Sequence, residues 1–153
     1  MSHEQRLASQ GIELPAAPNA MGLYRPVVQA GTVLHLSGHL PFLPDGSLLR
    51  GRLGDDLDVE AGRRAARQTG LAVLASLRAH CGSLDAIGRL VKTVGLVQAT
   101  PAFVDHPAVI NGFSELMRDV FGEEAGIGAR SAVGVASLPA GVAVEIEAIF
   151  ELK

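Results

Sequence analysis

The stretch from Ala129 to Lys153, ARSAVGVASLPAGVAVEIEAIFELK, predicts two strands joined by a turn. The turn is Leu138-Pro139-Ala140-Gly141, because proline and glycine favour tight reversals of the backbone. The second strand alternates two kinds of side chain: Val144, Ile146, Ala148 and Phe150 against Glu145, Glu147, Ile149 and Glu151. Since strand side chains alternate between the two faces, we expect a terminal hairpin with one apolar face and one face rich in carboxylates.

Arg130 lies near the start of the first of these strands, among Ala, Ser, Gly and Val residues. A guanidinium binds a carboxylate through two parallel hydrogen bonds, and the small neighbours leave room for a ligand that carries an acid. The same charge could instead form a structural ion pair with Glu145 or Glu147. The residues alone leave a ligand site, an ion pair and a merely solvated acidic face open.

The rest of the chain shows strand and helix patterns separated by turn residues. In chain order we expect a polar lead-in over 1–20, strands near 24–29, 32–37 and 48–53, a helix over 58–82, a strand over 89–98 and a second helix beginning near Pro107. Ala30-Gly31 suits the first hairpin turn, and Asp58 and Gly82 suit the two ends of the first helix. The glycine-rich stretch over 122–128 is expected to be a flexible connection.

The predicted order is therefore βββαβαββ, an α+β arrangement in a single domain of 153 residues. Each helix has one apolar stripe: Ala66, Gly70, Val73, Leu74, Leu77 and Cys81 on the first, and Ile110, Phe113, Met117, Val120 and Phe121 on the second. Two helices can cover only one face of such a mixed sheet, so the other face needs a partner.

Composition narrows the class of protein. Hydrophobic residues make up 48% of the chain and charged residues 19%, and the formal net charge is -3, which gives no electrostatic reason to expect nucleic acid. A single cysteine excludes an intramolecular disulfide, the first residues lack the apolar core of a signal peptide, and no apolar run reaches the length of a membrane span. We expect a cytoplasmic protein with no membrane partner.

The histidines and the cysteine do not indicate a metal site. His35 and His39 are four residues apart, but they lie in and just after a predicted strand, where four residues span about 13 Å. Cys81 falls on the apolar stripe of the first helix, which predicts a buried and unreactive thiol. We expect no bound metal.

Four stretches of the chain, in order and spacing, carry a resemblance to a known family. They are Gly22-Leu23-Tyr24-Arg25-Pro26, Leu36-Ser37-Gly38-His39-Leu40-Pro41, Val109-Ile110-Asn111-Gly112-Phe113 and the segment from Ala129 to Ile149. Together, over roughly residues 20 to 152, they resemble a long form of the Rid or YjgF family of reactive-intermediate deaminases, which is also labelled as an endoribonuclease.

The resemblance implies a fold, an assembly and an activity. The fold would be chorismate-mutase-like, and the assembly a homotrimer with a barrel-like centre and ligand clefts at the subunit boundaries. The activity would be cofactor-independent hydrolysis of imines and enamines such as 2-aminoacrylate, which gives a 2-keto acid and ammonia. Two other functions stay open. One is an endoribonuclease that acts on messenger RNA, and the other is a non-enzymatic binder of small carboxylates or a chaperone-like partner.

The resemblance also implies roles for single residues. Arg130 would bind the substrate carboxylate, and Glu145 would hold the water near the reacting carbon. The pocket would further include the backbone of Gly38, the hydroxyl of Ser37, and the side chains of Tyr24 and Asn111. The chain departs from the family pattern at Leu23, His39 and Ala132, which replace the usual proline, glutamine and cysteine.

Overall fold

The computed structural model describes residues 1–153 and places five strands in one mixed sheet. The strands are β1 Val27–Ala30, β2 Val33–His39, β3 Ile87–Gln98, β4 Ala129–Val135 and β5 Val144–Leu152. The helices are α1 His3–Ser9, α2 Val59–Cys81, α3 His106–Phe121 and α4 Glu123–Gly126. The predicted α+β class with a mixed sheet is confirmed.

The strand order in the sheet is β1-β2-β5-β3-β4, and only β3 and β4 run parallel. The predicted terminal hairpin is therefore wrong, because β3 lies between β4 and β5 and pairs with both. The twelve-residue β3 pairs along both of its edges, and β5 takes the inner edge, where its side chains Val144, Ile146, Ala148 and Phe150 are buried. β4 takes the outer edge, where its small side chains remain half-buried or exposed.

The two faces of the sheet differ as the alternation of β5 predicts. Val144, Ile146 and Phe150 are completely buried under α2 and α3, which both contact the sheet and each other. Glu147 is exposed on the opposite face and Glu145 is half-buried there. This second face, called the open face below, has no helix of the chain over it.

Helix α2 begins and ends where the sequence predicts, and α3 begins there. The Asp58 carboxylate accepts a hydrogen bond from the backbone of Ala61 at 2.8 Å, and Gly82 ends α2 in the left-handed conformation. The apolar stripes of both helices belong to a core of 26 buried residues, except for two positions on α2. Gly70 is buried without being one of the 26, and Cys81 is only partly buried. Gly112 lets α3 approach α2 closely, since a Cβ there would lie 2.1 Å from the carbonyl oxygen of Arg63.

Two regions differ from their predictions at the start of the chain. The lead-in is not irregular: α1 begins with a capping box between Ser2 and Gln5, and its Leu7 is buried in the core. The first hairpin turns at Gly31-Thr32, one residue later than predicted, with Ala30 paired to Val33.

Two further predictions fail in the connections. The strand predicted over 48–53 forms only isolated bridges, such as Phe42 to Leu48 and Arg50 to Val142, because no continuous strand edge lies beside it. The connection over 122–128 contains the short helix α4, packed against the end of α3. No helix of the chain combines the length and the apolar character that crossing a membrane requires.

Candidate functional site

Arg130 lies on the side of the sheet that faces the helices. It stands opposite Thr93 in the β3–β4 register, and Thr93 is buried against the helical layer. The Arg130 Nη1 donates hydrogen bonds to the Asn111 Oδ1 at 2.8 Å and to the Ser114 Oγ at 3.1 Å. Asn111 and Ser114 are three residues apart on α3 and so share one helix face.

Both partners of Arg130 are neutral. The ion pairs of the chain join Arg63 to Glu60 and Glu115, Arg78 to Glu4, Arg89 to Glu151 and Arg118 to Asp119. The structural ion pair of Arg130 with Glu145 or Glu147 therefore does not form within the chain, because those carboxylates lie on the open face. The positive charge of Arg130 has no carboxylate partner.

A cavity of about 330 Å³ opens beside Arg130, between β4, α3 and the connection that follows α3. Asn111, Ser114 and Arg118 also line it, together with one acidic side chain, Glu115. Both oxygens of that carboxylate accept hydrogen bonds from Arg63, at 2.9 and 2.7 Å. The cavity therefore keeps an excess of positive charge.

A second cavity, of about 460 Å³, lies on the open face. Four of the predicted site residues line it: Tyr24, Ser37, Gly38 and Glu145. Met21, Leu40 and Pro139 complete its wall. The structure thus brings four of the six predicted residues to one place, and the other two, Arg130 and Asn111, to another.

A bulge in β2 shapes this second cavity. Leu36 pairs with Ala148 and His39 pairs with Ile146, so three steps on β2 match two steps on β5. The extra residue re-aims the segment of Ser37 and Gly38 toward the open face, as bulges near functional sites often do.

Gly38 lies directly against Glu145. A Cβ on Gly38 would lie 2.8 Å from the Glu145 Cδ and 2.9 Å from its Oε2. Absence of a side chain at this position therefore makes room for the carboxylate of Glu145. The space that a side chain at position 38 would fill is therefore occupied by Glu145.

Burial raises the pKa of Glu145 above its usual value, and the nearby charge of Glu147 adds to the effect. No ion pair of the chain includes Glu145. A carboxylate with a raised pKa is a stronger base toward a bound water than an ordinary surface carboxylate.

Ser37 and Tyr24 are both already engaged in local hydrogen bonds. The Ser37 Oγ donates to the carbonyl oxygen of Arg25 at 2.6 Å, which leaves its oxygen free to accept. The Tyr24 hydroxyl oxygen accepts from the backbone of Met21 at 3.1 Å, and 46% of the Tyr24 residue surface is exposed.

His39 is a residue whose contribution the sequence analysis missed. Its side chain is buried, with the Nδ1 2.6 Å from the Ser37 carbonyl oxygen and the Nε2 2.8 Å from the Ser76 Oγ. An Nδ1–H that donates to the carbonyl leaves the Nε2 to accept from the Ser76 hydroxyl. Burial lowers the pKa of His39, which favours this neutral ring. His39 thereby ties the bulge to α2.

Metal ligation has no evident place in this arrangement. His39 is buried whereas His35 is exposed, and no group of three or more His, Cys, Asp or Glu side chains is placed to hold a metal ion. A metal-free site stays a prediction. Burial raises the pKa of the Cys81 thiol, which reduces its thiolate fraction.

The two cavities cannot serve one small ligand within one chain. Arg130 belongs to β4 and Glu145 to β5, two strand spacings apart, which is about 10 Å. Their side chains also leave the sheet on opposite faces. A site that uses both residues needs Arg130 from one copy of the chain and Glu145 from another.

Three known proteins show what this chain is similar to. Protein TCP17 of Trypanosoma cruzi is 45% identical over 143 residues, which are 94% of this chain and 89% of that protein. The crystal structure of Atu1372 from Agrobacterium tumefaciens, a protein of unknown function, has 40% identity and a TM-score of 0.90 over 99% of this chain and 92% of that chain. Escherichia coli TdcF, solved with bound serine, has 26% identity and a TM-score of 0.64 over 92% of this chain and 97% of that chain.

A model of the family described as "YjgF/chorismate mutase-like, putative endoribonuclease" matches residues 4–144. The chorismate-mutase-like fold that the resemblance implies is therefore confirmed. The match spans most of the chain and agrees with the four sequence stretches, so the chain belongs to the YjgF, or Rid, family.

Proposed function

We propose that this protein hydrolyses reactive imines and enamines of amino acids, such as 2-aminoacrylate, to 2-keto acids and ammonia without a cofactor. The observation that carries the proposal is Arg130, a guanidinium held by two neutral side chains beside a cavity with excess positive charge. Such a guanidinium is oriented by its partners and keeps donors for a carboxylate.

The chemistry needs little more than positioning and a base. An enamine such as 2-aminoacrylate first becomes an imine by protonation of its terminal carbon. Arg130 holds the substrate carboxylate and so fixes the C=N carbon, and Glu145 accepts a proton from the water that attacks this carbon. In the resulting carbinolamine the nitrogen takes up a proton and the hydroxyl gives up its proton. The C–N bond then breaks, which forms the keto group and releases ammonia. One water is consumed, and one keto acid and one ammonia are formed.

The separation of the two cavities supports a site shared between copies of the chain. The cavity of Tyr24, Ser37, Gly38 and Glu145 lies on the open face, which needs a partner, and the cavity of Arg130 and Asn111 lies near the outer edge strand. We infer a homotrimer, in which the open faces meet at the centre and each copy supplies one half of every site. The number three comes from the family resemblance.

The bound serine of TdcF supports the same ligand class. Serine carries a carboxylate and a nitrogen on one carbon, as an imino acid does, and TdcF shares the fold of this chain. A carboxylate held by Arg130 would place that carbon for attack from the Glu145 side.

The direct test measures ammonia release from 2-aminoacrylate generated in situ by a pyridoxal-phosphate-dependent lyase. Purified protein without added metal should accelerate release above the spontaneous rate, and the Arg130→Ala protein should be at least about tenfold less effective. If the wild-type protein did not raise the rate of ammonia release above the spontaneous rate, the proposal would be overturned. A non-enzymatic binder of small carboxylates would then be the favoured function.

The family description favours a second candidate, an endoribonuclease. A net charge of -3 gives little attraction for phosphates. Incubation with messenger RNA, with Arg130→Ala as the control, distinguishes the two activities. Cleavage by the wild-type protein that the variant lacks would support this second candidate.

The location in the cytoplasm stays a prediction from the sequence.

A further inference from the structure

The cavity beside Arg130 carries more positive charge than one carboxylate requires. Arg118 lines it as well as Arg130, and the one acidic side chain in its wall, Glu115, is held by Arg63. The only ion pair of Arg118 is with its sequence neighbour Asp119, at 3.2 Å, and both side chains are partly exposed. Exposed pairs of this kind contribute little, so Arg118 remains able to bind an anion.

The spacing on α3 places the two arginines along one line. Asn111, Ser114 and Arg118 follow one another at intervals of three and four residues and so share a face of the helix. Arg130 is bound to the first two of them. Because a helix rises 1.5 Å per residue, Arg118 begins about 6 Å beyond Ser114 along the helix axis. A four- or five-carbon diacid has its two carboxylates separated by a distance of this order.

The size of the cavity agrees with a ligand larger than 2-aminoacrylate. Its volume of about 330 Å³ lies within the range of pockets for drug-sized ligands, roughly 300 to 1,000 Å³. A three-carbon imine bound to Arg130 would leave most of this volume to water. A longer substrate would fill it toward Arg118.

From these observations we propose that Arg118 forms a second anion subsite, and that the preferred substrates are imines of four- or five-carbon amino dicarboxylic acids. The α-carboxylate binds Arg130 and the distal carboxylate binds Arg118. This inference rests on the proposed function and deepens it by naming the substrate class. The hydrolysis is unchanged, and the product is a keto diacid.

The experiment uses stable product analogues, so that binding is measured without turnover. Isothermal titration calorimetry compares 2-oxoglutarate with 2-oxopentanoate, which has the same chain length but no distal carboxylate. The wild-type protein should bind the diacid at least tenfold more tightly, and Arg118→Gln should reduce that ratio to about one. The matched control is Arg67→Gln, an exposed arginine on α2 without an ion pair, which should keep the wild-type ratio.

The outcomes separate this inference from the proposed function. The Arg118 subsite alone would be overturned if the wild-type protein bound the two acids equally well while Arg130→Ala bound neither. An unaltered diacid preference in Arg118→Gln would overturn it too. Binding of both acids that Arg130→Ala leaves intact would instead contradict the role of Arg130 and with it the proposed function.

Discussion

Arg130 is oriented by Asn111 and Ser114 without being neutralised by them. A residue that neutralises no internal charge contributes little to folding by electrostatics, whereas a bound anion depends on it. Substitutions at this position therefore separate a ligand-binding arginine from a structural one.

We expect Arg130→Ala to lower kcat/KM for imine hydrolysis about tenfold to a hundredfold, because a charged hydrogen-bond pair contributes roughly 1.5 to 3 kcal/mol. Arg130→Lys should also be poor, since an ammonium cannot make the planar two-point contact. Melting temperatures of both variants should stay near that of the wild-type protein. A strongly lowered melting temperature of Arg130→Ala with a nearly normal Arg130→Lys would indicate a structural arginine instead.

Glu145 should destabilise the folded chain at neutral pH. Its pKa is raised by burial and by Glu147, so the folded state binds this proton more tightly than the unfolded chain does. The bound proton therefore contributes to the free energy of unfolding. This contribution is fully present below the ordinary pKa of 4.5 and is lost as the pH rises through the raised pKa. Glu145→Gln removes that loss and should melt above the wild-type protein at pH 7.5.

Near pH 4 the same difference should shrink toward zero, because Glu145 is then largely protonated. Differential scanning fluorimetry across this range measures both points. The exposed Glu13→Gln is the control and should show no such trend. A Glu145→Gln protein that melts below the wild-type at neutral pH would contradict the inferred cost of ionising this carboxylate.

Residue types predicted much of the candidate site, but they did not predict that its residues lie in two separate cavities. Alternation along β5 correctly places Glu145 on the face opposite the core. A cavity does open beside Arg130, but its wall is built by β3, α3 and the connection after α3, not by the small residues of β4. The partners of Arg130 were not predicted, because Asn111 and Ser114 approach it only through the packing of α3 on β4. The role of His39 was not predicted, because its partners meet it only through the bulge of β2 and the packing of α2.

At the scale of elements, the β2 bulge is the feature that builds the cavity around Glu145. His39 holds it through the Ser37 carbonyl and the Ser76 hydroxyl. The bulge therefore depends on a contact between a strand and a helix that are distant in the sequence.

His39→Leu should lower both the melting temperature and kcat, because it leaves two polar groups without partners at roughly 1 to 3 kcal/mol each. His39→Gln should recover much of both, since its amide supplies one donor and one acceptor on a side chain of similar length. Melting curves and steady-state kinetics on the two variants measure this. Equal losses in the two variants would contradict the hydrogen-bonding role.

Local signals predicted the helices better than the sheet. Asp58 and Gly82 mark the ends of α2 because capping is a contact within a few residues. The capping box of Ser2 and Gln5 is an equally local signal for α1 that the sequence analysis overlooked. The order of β3, β4 and β5 could not be derived this way, since strand pairing is decided by distant segments.

In the whole molecule, the open face of the sheet has no helix of the chain over it. It combines apolar side chains such as Ile149, which is half-buried, with Glu147 and Lys92. A sheet with one such face is completed by another copy of the chain in the proposed homotrimer.

Light scattering should give the mass of three chains of 15.9 kDa each. Ile149→Asp should shift the mass toward a single chain, because it places a charge in the proposed interface. Val104→Asp, at a position with 73% exposure away from this face, should leave the mass unaltered. A wild-type protein that stays monomeric at micromolar concentration would contradict the trimer and the shared site together.

In the proposed homotrimer, Arg130 of one copy and Glu145 of another form one catalytic site. Two variants that are each strongly impaired, Arg130→Ala and Glu145→Gln, are denatured, mixed in equal amounts and refolded. Native mass spectrometry verifies that mixed oligomers form. In a randomly mixed ring, half of the chains supply Arg130 and half of their neighbours supply Glu145, so about a quarter of the sites regain both residues. We predict that imine hydrolysis returns to about a quarter of the wild-type rate, whereas each variant refolded alone keeps only its own residual rate. Mixed oligomers that are no more active than the separate variants would contradict the shared site.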